Sequence, residues 1–196
     1  MGNIYIKIIN LVKYNYEFIA RYLPALIFTI IFEISILYFN KITFDLGIFD
    51  LAKIPLFIMF SLIIAVIPKI ISINVSGYLQ TVYWNKCGNS TIKFINNTNN
   101  LLYKDLVNKF KNDDELISKL LKETRGDKKL LSKNIFYGFF RNFSFLVLIF
   151  LIINLIYFKY FIIENIILMV FSMIMIYISS QRYSEQICKC YIEKTV

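Results

Sequence analysis

An all-α integral membrane protein, with four transmembrane helices paired two and two around a cytosolic helical insertion, is the fold class this 196-residue sequence predicts. Four stretches, residues 22–40, 54–73, 143–158 and 161–178, are apolar on every face. Each is about long enough to cross a hydrocarbon layer, which takes ~20 residues at ~1.5 Å of rise apiece. A soluble helix needs a wet side and alternates apolar with polar residues at the helical period, and these four do not alternate. Lysine and arginine, moreover, gather between and beyond the apolar pairs rather than along them.

Residues 1–21 read as an interfacial helix, with Ile4, Ile8, Leu11, Val12 and Phe18 against Lys7, Lys13 and Arg21, that lies along the membrane before the chain turns inward at Pro24. This segment has neither a compact apolar run nor a small-x-small cleavage site, so the first span is expected to remain as an anchor. The first hairpin covers residues 22–80. Pro24 falls in its first turn, where no hydrogen bond is lost. Span two opens at Pro55 and meets Pro68 deeper in, where a proline removes a backbone bond and kinks a helix. Tyr78, Tyr83 and Trp84 follow, and aromatics of this kind settle at the headgroup level.

Residues 81–135 form the insertion. Asn85–Asn100, polar and containing Gly88, reads as a loop. Leu101–Lys111 reads as a helix through Leu102, Leu106 and Phe110. Asn112 with Glu115 resembles a capping box, opening a helix with the stripe Leu116, Ile117, Leu120 and Leu121 that Gly126 ends. Two such stripes are too short for an independent core, so they are expected to pack on the membrane-proximal helices or on a second subunit. The second hairpin covers 136–180, its first helix starting at Ser132 and running through Arg141 into span three. The tail, 181–196, continues the last span.

The net charge of +9 does not indicate a nucleic-acid partner, because of where it lies. The segment from Lys86 to Arg141 holds twelve basic and six acidic residues, whereas the loop 41–53 balances two lysines with Asp45 and Asp50. Basic residues collect on the cytoplasmic side, so both termini and the insertion are expected inside, near anionic headgroups. The abundance of Ile, Asn and Lys suits an AT-rich bacterial genome, hence a bacterial inner membrane. The three cysteines, Cys87, Cys188 and Cys190, fall on that reducing side, and with no histidine in the chain they lack the spacing and partners of a zinc site.

Catalytic chemistry has little to build on: histidine, the common base, is missing, as is any glycine-rich phosphate loop. No catalytic, cofactor-binding or metal-ligating residue is expected. Glu33 is the sharpest single feature, since a carboxylate deep in a span costs ~3 kcal/mol or more on insertion scales unless protonated or paired. Lys69 in span two reaches a similar depth, making Glu33 and Lys69 a candidate intramembrane pair. Asn154 and Ser172 are candidates for interhelical hydrogen bonds. Gly138, Arg141, Asn142 and Trp84 are candidate interfacial or ligand contacts. Gly138 allows another backbone to come close, and Arg141 and Asn142 are placed to meet a headgroup, an anionic ligand or neighbouring helix ends.

The stretch Tyr137-Gly138-Phe139-Phe140-Arg141-Asn142 before the third span resembles a Tyr-Gly-Phe-x-Arg-Asn signature of uncharacterised small bacterial inner-membrane proteins with four spans. The tail Gln181-Arg182-Tyr183-Ser184-Glu185-Gln186 is similar to their closing stalk, and the aromatic segment at Trp84 is a looser match. The chain departs from them at Phe140, where a basic residue is expected. The resemblance implies the four-span architecture and a bacterial defence or signalling context, with no substrate. Two functions follow as expectations: an oligomeric membrane effector or pore subunit controlled by its cytosolic segment through a protein or small-molecule signal, or a non-conducting scaffold that docks a cytosolic partner.

Overall fold

The structure, a computed structural model, describes residues 15–39, 53–98, 112–124, 126–159 and 162–195, with residues 105 and 110. Among these it is helical almost throughout and contains no strand. A π-helical segment, Glu17–Tyr22, leads straight into α1, Leu23–Phe39. Then come α2, Lys53–Ile64, and α3, Val66–Cys87; α4, Ser90–Asn97; α5, Asp113–Thr124; and α6, Lys128–Ile153, which passes through a second π-helical segment, Asn154–Phe158. The last is α7, Ile162–Thr195. Four continuous stretches, Glu17–Ile36, Ile58–Lys86, Lys128–Tyr157 and Ile162–Lys194, are long and apolar enough to cross a membrane.

Two prolines shape the first pair. The chain does not turn inward at Pro24; helix runs through it from Glu17, and the widened π turn sets Leu23 N–H on Phe18 O. That is the break expected where a proline cannot donate and its ring crowds the carbonyl four residues back. Pro68 interrupts the helix one turn earlier, at Ala65 between α2 and α3, as predicted from the bond it removes. Of the interfacial helix predicted over 1–21, residues 1–14 lie outside the described residues. So do most of the loop 41–53 and most of the helix predicted over Leu101–Lys111.

The four long helices bury most of their small and polar residues, together with Phe143, Leu146, Val147 and Phe150, and turn many of their large apolar residues outward. Thr29, Ser61, Ser72, Ser76, Asn142, Ser144, Asn154, Asn165, Ser172 and Ser179 are buried, with Ala20, Ala25 and Ala65 beside them. Isoleucine, phenylalanine and valine face outward instead, Ile67, Ile167 and Phe60 each more than half exposed. In water this distribution would be inverted, since burial of large apolar groups drives folding. In hydrocarbon it is the expected one, where small residues allow close helix contact and hydroxyls and amides bind across it. Helix α6 lies in the middle, touching the first π-helical segment, α1, α3 and α7.

The insertion folds onto α7. Ile92 and Ile95 of α4, Leu116 and Leu120 of α5 and Leu130 of α6 enclose Ile187, Cys188, Cys190 and Tyr191. Of the two predicted stripes, that of Leu116 and Leu120 packs on a long helix of its own chain. The loop predicted over Asn85–Asn100 is corrected: it contains α4. Asn89 Oδ1 accepts from Thr91 N–H at 2.8 Å, and Ile92 and Ile95 supply a buried stripe. Gly88, at φ 83°, provides the left-handed turn between α3 and α4 that a residue with a Cβ rarely adopts. The predicted cap at Asn112 is present, its Oδ1 accepting from Glu115 N–H at 2.8 Å, and α5 ends before Gly126.

Helix α6 starts earlier than Ser132. Asp127 caps it, accepting from Leu130 N–H at 2.8 Å. That backbone bond above all, with the Cys190 side chain, the Lys129 N–H and the Lys194 charge, outweighs desolvation and holds the Asp127 carboxyl below its usual range. A carboxyl depressed in the fold contributes stability above its unfolded pKa and loses it as pH falls through its folded pKa. Stability of the wild type, followed by denaturant unfolding in detergent, should therefore fall more steeply below about pH 4 than that of Asp127→Asn, which keeps the cap without the titration. Equal slopes for the two proteins would rule out this role for Asp127.

Candidate functional site

A three-helix junction is built around Asn142, at the end of span three that faces the insertion. Its origin is Pro24. Without an N–H, Pro24 cannot give Ala20 O the usual i→i−4 bond. Asn142 Nδ2 donates to that carbonyl instead, at 2.7 Å. Its other atom, Oδ1, accepts from Ser76 Oγ of α3 at 2.7 Å. One fully buried amide thus joins span one, span two and span three. Gly138, one helical turn away, is what lets the helices come this close: a Cβ placed there would lie 3.1 Å from Ala20 Cβ and 3.3 Å from the Tyr16 hydroxyl. Arg141 donates from Nη1 to Gln80 Oε1 of α3, while Arg21 pairs with Glu17 and lies over the Tyr16 ring.

Gly138, Arg141 and Asn142 are therefore brought together, and what they meet is neighbouring helices. Trp84 is elsewhere. It lines a cleft with the capping residue Asn89, Thr91 of α4, Leu120 of α5 and Tyr183 of α7. Tyr183 connects the two places: it stacks on Tyr137, beside Gly138, with ring centroids 6.0 Å apart, and it lines the Trp84 cleft. The cleft volume is about 70 Å³, far below the ~300–1,000 Å³ of a typical small-molecule site.

The Glu33–Lys69 pair is corrected. Glu33 Oε2 accepts from Ser61 Oγ at 2.6 Å, and Lys69 Nζ lies 5.9 Å from the Tyr22 ring centroid. The ion pairs among the described residues are Arg21–Glu17 and Lys189–Glu185. A turn at Ala65 separates Ser61 from Lys69, so Glu33 of span one meets Ser61 of span two, while Lys69 of span two meets Tyr22 of span one. Ser172, proposed as interhelical glue, is also corrected: its hydroxyl donates to Met169 O of its own helix at 2.9 Å.

Ser61, Ser76, Gln80 and Ala20 were not singled out in the sequence. The signal for Ala20 was present, since a proline four residues later frees a carbonyl that a buried environment must satisfy. Its donor lies 122 residues away, beyond the reach of any local pattern. No protein-family model, curated protein or solved structure matches this chain.

Proposed function

We propose that this chain is a multi-pass protein of a bacterial inner membrane, an oligomeric effector or pore subunit whose four-helix bundle is controlled by its cytosolic helical module. The observation that carries this reading is the continuity of α7. One unbroken helix of 34 residues supplies an apolar span and then the centre of the module core, Ile187, Cys188, Cys190 and Tyr191. Tyr183, between them, touches both the Trp84 cleft and the junction helix α6. A change in the module therefore has a packed route to the point where three spans are tied. The basic surplus of the insertion supports placing the module and both termini on the cytoplasmic side. The buried polar, exposed apolar bundle supports insertion in lipid.

The small cleft favours a protein partner on the basic module over a small molecule as the trigger. The resemblance to four-span bacterial proteins adds a defence or signalling setting. The alternative, a non-conducting scaffold, shares every feature except movement of the bundle, and one experiment separates them. Membrane potential is followed in cells during induced expression of wild type, Glu33→Leu and Tyr183→Ala at matched membrane levels. The effector reading expects wild type to depolarise the cells, Glu33→Leu to alter the leak, and Tyr183→Ala to weaken it by uncoupling module from bundle. Unchanged potential with wild type, also when the module's captured partner is co-expressed, would leave the scaffold.

A further inference from the structure

Helix α3 carries an outward stripe that the bundle does not use. Residues two apart lie ~200° round an α-helix, so Asn74 faces away from Ser72 and Ser76, the two buried serines that pack α3 into the bundle. Asn74 is exposed and makes no hydrogen bond among the described residues. It lies about 9 Å deeper than Gln80 at ~1.5 Å of rise per residue, and about one turn deeper than the exposed Tyr78. On the membrane reading this puts an amide against lipid tails, which offer it no partner.

The residues around Asn74 follow a strict three-four alternation: Ile67, Ile70, Asn74, Gly77, Thr81. Ile67 and Ile70 are 63% and 54% exposed, and Thr81 is exposed. A Cβ added at Gly77 would meet nothing within 4 Å. This is the heptad pattern of a helix seam. It has a small-x-x-x-small step at Gly77 and Thr81 that lets backbones approach, and one polar residue at an a-type position, the usual device for fixing register and partner number. The equivalent outward face of α7, through Ile163, Ile167, Val170 and Ile174, carries no amide.

We propose that this face of α3 is a parallel self-association seam in which the Asn74 side chains of two copies bind each other. The occupant follows from the chemistry. A primary amide is both donor and acceptor, so it is complementary to itself. Copies inserted with one orientation and related by a two-fold axis along the membrane normal bring residue 74 opposite residue 74. The packed serine face, opposite, leaves α3 free to bind its copy without disturbing the Asn142 junction.

The proposal rests on the membrane reading, and its test separates the two. Full-length chain labelled with donor or acceptor dye is reconstituted in vesicles, and energy transfer is followed as lipid dilutes the protein. Wild type should associate. Asn74→Leu should weaken association ~3- to 30-fold, the range of single interhelical hydrogen bonds, and Gly77→Ile should weaken it further. Asn74→Gln, which keeps the amide, should recover part of it. Ile174→Leu on α7 is the control. A wild type that stays monomeric at all dilutions would overturn the seam, leaving Asn74 to headgroup water. Association that Asn74→Leu and Gly77→Ile do not change would overturn it too, placing the contact elsewhere. Chain that fails to enter the vesicles would instead overturn the membrane reading.

Discussion

Asn142→Leu should be the most damaging single change in the bundle. Leucine has nearly the same shape, so little cavity forms, but Ala20 O and Ser76 Oγ lose their shared partner in a buried setting. Two interhelical hydrogen bonds at ~0.6–2 kcal/mol each, with the penalty for leaving a buried acceptor unmade, give a loss of about 2–4 kcal/mol. Reversible unfolding in mixed micelles measures it. The origin of the junction gives a second arm. Restoring an N–H with Pro24→Ala should recover part of the loss in the Asn142→Leu background, and the pair should be strongly non-additive. A loss below about 0.6 kcal/mol, or strict additivity, would refute the idea that the amide replaces the bond Pro24 cannot make.

Gly138→Leu is expected to be nearly as severe, for a different reason. The Cβ alone would come 3.1 Å from Ala20 Cβ, and the remaining leucine atoms have no space before the first helix must move away. Overpacking of this kind costs about 1–3 kcal/mol and sometimes more, and here it would also lengthen the Asn142–Ala20 contact. Gly138→Ala should be close to neutral, because the ~1 kcal/mol gained in helix propensity offsets a tight contact. Unfolding midpoints for the two variants, alone and with Ala20→Gly, check this. If Gly138→Leu matches wild type, or Ala20→Gly fails to relieve it, close packing at this glycine is not what holds the helices together.

How much of this could be read in advance varied by residue. The long apolar runs were legible because length and composition alone mark a helix apolar enough to cross a membrane, whatever the fold. The break near Pro68 and the cap at Asn112 were legible because their causes are local: a missing N–H and a side chain three residues from its target. Helix α4 was missed because asparagines and a glycine dominate its surroundings, while the three apolar residues that bury it, Ile92, Phe94 and Ile95, show their value only against α7. Glu33 and Lys69 were paired by depth alone, which ignores the side of the helix each occupies. Depth is a one-dimensional coordinate, and the neighbours Ser61 and Tyr22 were chosen by rotation. Gly138 and Asn142 were noticed as unusual, but their partners come from contacts far apart in the chain that no spacing encodes.

Because α7 follows α4 and α5 in the chain, it also sets an order of assembly. Ile92, Ile95, Leu116 and Leu120 are synthesised well before the residues that cover them, Ile187, Cys188, Cys190 and Tyr191. Until α7 has been synthesised, the module is a set of short amphipathic helices with uncovered stripes. Helices of that length are marginal by themselves, so the module matures only once α7 is in place. A protein stalled or cut before α7 would show four uncovered apolar side chains to the cell's proteases. Synthesis of α7 is thereby a condition for hiding them, and the fold distinguishes chains that carry α7 from chains that lack it.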